Sequence, residues 1–236
     1  MIVTIHQPEH LPWLGFFNKI AKAEVYIVMD NVQFEKNYFQ NRNKIIGTNG
    51  VQWLGLSVSK KGHMDSTLAE TEIADIPKWR EKYLQTIKFS YSKYPYFNDV
   101  YDVLEKAIYT DSNKLVDINL AIIKGFAEKL DIKPKFVMAS SLDVSGKKSD
   151  LVLSLCEAVN ATTYIAGPSG RDYMDLESFK EAGIEVKFND YTHPVYEQRK
   201  TEEFTPYMSI VDLTMNCGFK EAKRIIMEGN EGLSEK

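Results

Sequence analysis

Four stretches of the chain carry side chains whose types and spacing could do chemistry. The first is His6-Gln7-Pro8-Glu9-His10-Leu11-Pro12-Trp13. Two prolines within five residues stiffen an extended loop, and a stiff loop can hold an imidazole at defined geometry. His6 is therefore a candidate general base, or a donor to developing negative charge, with Gln7 and Trp13 as candidate substrate contacts. His6 and His10 are also candidate metal ligands. On an extended loop, however, a four-residue spacing does not bring two rings to one face, and no cysteine or third histidine lies close in sequence. The plainer alternative is a His6 that packs on a sheet and only hydrogen-bonds.

The second stretch is Asp30-Asn31-Val32-Gln33-Phe34-Glu35-Lys36, continued at Asn41-Arg42-Asn43-Lys44. Asp30 is a candidate catalytic carboxylate or polar anchor, and Gln33 and Asn43 offer amides. Lys36, Arg42 and Lys44 supply the ammonium and guanidinium groups that hold phosphate or carboxylate. The alternative is a solvated polar loop with turn-forming asparagines. The third stretch is Gly167-Pro168-Ser169-Gly170-Arg171, with Tyr173 just beyond. Glycines let backbone approach a ligand closely, and a helix starting near Asp172 would favour an anion at its N-terminus. Gly167, Ser169, Gly170, Arg171 and Tyr173 are thus candidate binding residues, against the alternative of an ordinary strand-to-helix connection. In the fourth stretch, Tyr191-Thr192-His193-Pro194-Val195-Tyr196-Glu197-Gln198, Tyr196 and Gln198 are candidate donors to a sugar or base. An irregular surface loop would look the same.

Other reactive side chains read as structural. Cys156 lies within the apolar run Leu151-Val152-Leu153-Ser154-Leu155 and reads as a small buried hydrophobe. A Cys217/His193 nucleophile is conceivable, yet nothing in the sequence brings the two together. Tyr91, Tyr94, Tyr96, Phe97 and Tyr101 read as core or lid packing. With two isolated cysteines and four scattered histidines, His6, His10, His63 and His193, no structural metal is expected.

These stretches must be positioned by secondary structure, and the hydrophobic pattern suggests how. Ile2–Ile5 is a β-branched run that reads as a buried strand. Trp13–Lys22 places Leu14, Phe17, Ile20 and Ala21 on one helical face, and Val25–Met29 is a second apolar strand. Strand, helix and strand within about 30 residues make a βαβ unit, hence a parallel pair with a right-handed crossover. Further on, Gln52–Val58, Phe136–Ala139, Thr163–Ala166 and Ile184–Phe188 read as strands. Trp79–Phe89, Asn113–Leu130, Asp150–Ala158 and Leu176–Ala182 read as helices. The expected fold is an open, mostly parallel, doubly wound Rossmann-like α/β sheet forming one domain over residues 1–236. A helical subdomain or lid is inserted at about 48–112. In such sheets ligands bind beyond the carboxyl ends of the strands. The first three polar stretches follow strands there, so His6, Arg42 and Arg171 are expected to converge.

Bulk composition bounds the function. The 236 residues suit one large domain. A formal charge of −4 without a basic block argues against nucleic-acid binding. No apolar run reaches the roughly 18 to 20 residues of a membrane span. Two cysteines do not make a disulfide framework, and no signal-peptide pattern opens the chain, so a cytoplasmic location is expected. The sequence names no cofactor, and whether the chain forms a homodimer stays open.

The stretch Ile5 to Ile20 resembles the signature opening of the WbqC-like family. The resemblance continues through Met29-Asp30-Asn31-Val32-Gln33-Phe34, Asn41-Arg42-Asn43-Lys44-Ile45, Tyr164 to Tyr173, Pro194-Val195-Tyr196-Glu197-Gln198 and Ser209-Ile210-Val211-Asp212-Leu213. His10 departs from the pattern, where a tyrosine is more often expected. The resemblance implies a bacterial protein associated with surface-polysaccharide (O-antigen) gene clusters. Three functions are then in view. The first is a transferase that puts an acyl or aminoacyl group on a nucleotide-linked amino sugar, with a small anionic substrate held by the cationic side chains. The second is a nucleotidyltransferase or adenylate-forming enzyme, which the layout of a His-containing loop after a first strand also suits. The third is a non-catalytic binding subunit of a biosynthetic complex.

Overall fold

The computed structural model describes residues 1–59, 66–75 and 77–229. Its centre is a five-stranded sheet in the order β5-β2-β1-β6-β7, every pairing parallel. The strands are β1 (Ile2–His6), β2 (Val25–Val28), β5 (Lys135–Met138), β6 (Thr163–Ala166) and β7 (Glu185–Phe188). The doubly wound, Rossmann-like fold class expected from the alternating pattern is the one observed. The period-2 alternation of a strand explains how one sheet serves two cores. On β2, Tyr26 and Val28 enter one apolar cluster while Val25 and Ile27 enter the other. The first cluster is covered by α1 (Leu14–Ala21), α2 (Trp79–Tyr91), α3 (Phe97–Ile108), α4 (Leu115–Lys129) and α7 (Ile210–Glu228). The second is covered by α5 (Ser149–Ala158) and α6 (Leu176–Glu181), with Cys156 fully buried in it.

Strand order decides where a site can form. From β1 the chain winds outward through β2 to β5, then returns to the other side of β1 for β6 and β7. The direction of winding reverses between β1 and β6, and loops leaving their carboxyl ends splay apart and open a crevice.

Residues between β2 and β5 include a hairpin, β3 (Arg42–Gly47) and β4 (Gly50–Gly55), followed by α2, α3 and α4. The turn Thr48-Asn49-Gly50 places Gly50 at φ +99°, a region open to glycine and strained for other residues. The hairpin starts earlier than the pattern suggests, so Arg42, Asn43 and Lys44 lie on a strand rather than in a loop. Tyr83, Leu84, Ile87, Val100 and Leu104 share one apolar cluster with residues of α1, α4 and α7.

One further expectation is corrected. The helix anticipated near Asp172 begins at Leu176, where Asp175 caps it; Pro168–Asp172 form only a short 3-10 turn. Helix α7 is kinked at its middle, where Gly218 sits at φ +74°. His63 lies outside the described residues. Among the described residues, no helix is long and apolar enough to cross a membrane.

Candidate functional site

A polar cavity of about 250 Å³ occupies the crevice. From the β1 side it is lined by His6, Gln7 and Glu9, from α1 by Lys19, from the loop after β2 by Tyr38, and from the β6 side by Gly167, Ser169, Gly170 and Tyr173. A larger cavity of about 410 Å³ lies between α6 and β7, but its polar walls are the surface side chains Lys180 and Glu185. The crevice is the one where ionisable groups converge away from bulk solvent, Lys19 buried and His6 and Glu9 partly buried, which is the more telling property.

Three such groups meet there. His6 Nδ1 lies 2.9 Å from the Gln7 carbonyl oxygen, which can only accept, so Nδ1 carries the proton. That leaves the lone pair on Nε2, which stands 3.8 Å from Glu9 Oε1. Burial, reinforced by the Lys19 charge, lowers the imidazole pKa to about 3 and keeps it neutral. The ring also meets Phe16 edge-on at 5.2 Å. Burial pushes the Glu9 carboxyl up to about 7, with Lys19 pulling the other way. Burial lowers the Lys19 amine to about 8, with Glu9 opposing, while its Nζ donates to the Ile5 carbonyl at 3.2 Å. Glu9 Oε2 is buried without a hydrogen-bond partner among the described residues, a costly arrangement that a bound ligand would relieve.

The supporting shell explains why these side chains stay put. His10 is wholly buried, its Nδ1 and Nε2 each 2.9 Å from Asn119 Oδ1 and the Tyr83 hydroxyl. Asn119 Nδ2 in turn donates to the carbonyls of Pro8 (2.8 Å) and Gln40 (2.7 Å), so one amide on α4 holds both loops over the cavity. Gln40 Nε2 donates to Gln7 Oε1 at 2.7 Å. Among the described residues no group of three or more His, Cys, Asp or Glu side chains has a metal-binding arrangement.

The other sequence candidates are distributed unevenly. Gln7, Gly167, Ser169, Gly170 and Tyr173 line the cavity with His6. Arg171, between them, turns instead to Asp190, with both guanidinium–carboxylate distances 2.8 Å, and lies over the Phe188 ring. Asp30 accepts from Ser140 N (2.8 Å) and Ser140 Oγ (2.5 Å), tying the end of β2 to that of β5, and does not line the cavity. Asn43 is buried and structural, donating to the His10 and Leu11 carbonyls. Gln33 bridges to Thr67, and Lys36 is exposed. Arg42 and Lys44 stand over the Trp53 ring at 4.4 and 5.7 Å. Trp13 stacks on His193 and touches Tyr191 and Tyr207.

Tyr196 and Gln198 are also outside the cavity. The Tyr196 hydroxyl and Gln198 Nε2 donate to Asp212 Oδ2 at 2.8 and 2.7 Å, and the Tyr91 hydroxyl to Oδ1 at 3.3 Å. Asp212 is fully buried; burial raises its pKa while these three donors work against the rise. This is a clamp between α7, α2 and the loop before α7.

Sequence reasoning overlooked Glu9 and Lys19. A signal for Lys19 exists: it is the lone charge in the helix Leu14-Gly15-Phe16-Phe17-Asn18-Lys19-Ile20-Ala21, seven of whose eight residues are buried.

Fold and site together define a class: a parallel α/β protein with a cavity lined by ionisable side chains at its topological switch point. Within that class, the chain belongs to the WbqC-like protein family, whose model matches residues 7–224. The uncharacterized protein Rv1507c of Mycobacterium tuberculosis is 30% identical to it over 217 residues, covering 92% of this chain and 94% of that protein. No solved structure matches the chain.

Proposed function

We propose that the chain is an enzyme of bacterial surface-polysaccharide biosynthesis that transfers an acyl or aminoacyl group to a nucleotide-linked amino sugar. On this reading it works in the cytoplasm. The observation that carries the proposal is a neutral His6, its Nε2 lone pair 3.8 Å from a Glu9 carboxyl that titrates near neutrality. The sugar amine, in its neutral form, attacks the acyl carbonyl and a C–N bond forms. His6 Nε2 takes the amine proton, and protonated Glu9 gives a proton to the departing group as its bond to the acyl carbon breaks. Transfer of the new imidazolium proton to the Glu9 carboxylate restores both groups. Lys19 keeps the imidazole unprotonated between turnovers and can stabilise the tetrahedral oxyanion.

The test is a thermal-shift panel of nucleotide-sugars and nucleoside triphosphates, followed by mass spectrometry of reactions with activated acyl donors. Stabilisation by a nucleotide-sugar, with a product heavier by one acyl group, supports the transferase. The His6→Gln variant is expected to bind the sugar and to lose roughly 10²- to 10⁴-fold in kcat. A second reading, nucleotidyl transfer, is favoured by the strand order and by the glycine-bearing turn after β6 facing the cavity. Stabilisation by triphosphates with magnesium alone would select it. A chain that binds sugar but catalyses neither reaction would be a non-catalytic subunit.

A further inference from the structure

The outer face of the β3–β4 hairpin carries a second group of charged and aromatic side chains, its cations without a carboxylate partner among the described residues. Register pairs Lys44 with Trp53 and Arg42 with Gly55, so Arg42, Lys44 and Trp53 project from one face of a two-stranded ribbon. Trp53 keeps 46% of its surface exposed. Arg42 and Lys44 make no ion pair among the described residues, unlike Arg171 with Asp190. Their contacts are with the Trp53 ring. Arg42 Nε is moreover buried and without a hydrogen-bond partner among the described residues. Half-buried cations left unpaired are costly, and such a gap marks the place where an anion belongs.

The face is continuous with the acid–base cavity. Tyr38 lines that cavity and is 50% exposed. Its ring lies 5.4 Å from Phe39, and Phe39 lies 5.9 Å from Trp53. Aromatic rings therefore run from Tyr38 in the cavity wall to the unpaired cations.

We infer that this face is the nucleotide subsite: Arg42 and Lys44 hold the diphosphate of a nucleoside-diphosphate ligand, and the exposed part of Trp53 takes its base. The inference rests on the nucleotide-sugar reading above and adds an orientation, with the sugar toward His6 and the nucleoside over the hairpin. Guanidinium suits the forked geometry of phosphate oxygens. An aromatic ring stacks on any base, so this subsite alone selects for the diphosphate more than for base identity.

Calorimetric titration of the full chain with UDP, ADP, GDP and dTDP tests the inference, with inorganic pyrophosphate and a neutral oligosaccharide as comparisons. At least one nucleoside diphosphate is expected to bind, more weakly as salt rises. Arg42→Gln and Trp53→Ala should each weaken that binding 10-fold or more, while His6→Gln leaves it within 2-fold. Thermal melting of each variant shows whether it is folded; should Arg42→Gln melt early, Lys44→Gln reports on the same anion. Equal binding by wild type and folded hairpin variants overturns the inference while leaving the transferase reading intact. Preference for the neutral oligosaccharide, or no binding of any diphosphate, also overturns it. Loss of transfer in His6→Gln with diphosphate binding retained upholds both, whereas unimpaired transfer in His6→Gln defeats the transferase reading alone.

Discussion

Replacing Glu9 by glutamine should make the protein more stable at neutral pH, and the gain should vanish in acid. The Glu9 side chain retains only 13% of its surface, and burial raises its pKa from 4.5 to about 7. Below pH 4 the carboxyl is protonated in both folded and unfolded chains and contributes nothing. As pH rises from 4.5 to 7, the unfolded chain releases the proton while the folded chain retains it, so folding becomes progressively less favourable. Two and a half pKa units at about 1.36 kcal/mol each amount to roughly 3 kcal/mol by pH 7.5. The raised value already contains the attraction to Lys19, so no further allowance is needed for that charge. Glutamine has nearly the same shape and no charge, and relieves this cost. For a chain of this size the gain corresponds to a rise in Tm of roughly 6 to 12 °C. Urea unfolding of wild type and Glu9→Gln at pH 4 and pH 7.5 measures it. Equal stability at both pH values, or a variant less stable at pH 7.5, would refute the desolvated acid and with it the proton donor of the proposed reaction.

Three other substitutions probe the surroundings. Asp212→Ala strips the acceptor from Tyr91, Tyr196 and Gln198 and should cost about 3 kcal/mol or more in urea unfolding. Gly15→Ala would place a Cβ 2.3 Å from the Trp13 ring; forcing that ring off its neighbours should cost about 1 to 3 kcal/mol and shift tryptophan emission. Arg171→Ala removes a solvent-exposed pair and should leave Tm within about 3 °C of wild type. A larger fall would mean that the Arg171–Asp190 contact holds the β6 and β7 loops together.

The elements that frame the site were legible because their apolar residues recur at the period of their structure. Ile2–Ile5, Val25–Val28 and Thr163–Ala166 are unbroken apolar or β-branched runs, as strands covered on both faces must be. Of the hairpin, β4 overlaps the strand expected at Gln52–Val58, but β3 was hidden because it opens on three consecutive polar residues, Arg42, Asn43 and Lys44, and Asn43 is buried by hydrogen bonds rather than by hydrophobicity. The same limit applies to chemistry. His6 and the Gly167–Gly170 turn stand at strand ends, where placement rules point. Glu9 and Lys19 matter through burial, which depends on α1 lying under the β1 loop. Tyr196 and Gln198 are equally suited to a sugar and to a carboxylate, and only the fold reveals that Asp212 is their partner.

The central position of β1 bears on how the chain folds. β1 can pair with β2 early, since Val3 and Val25 are close in sequence, but its other edge is completed by β6: Thr4 donates to the carbonyl of Ile165, 161 residues away. Contacts of such separation form late, because a long loop must close before any reward is gained. The two walls of the cavity, His6 on one and Gly167 on the other, therefore meet only after most of the molecule has organised. Hydrogen exchange during refolding should protect the β1–β2 amides before those of β6, with the crevice the last part of the sheet to close.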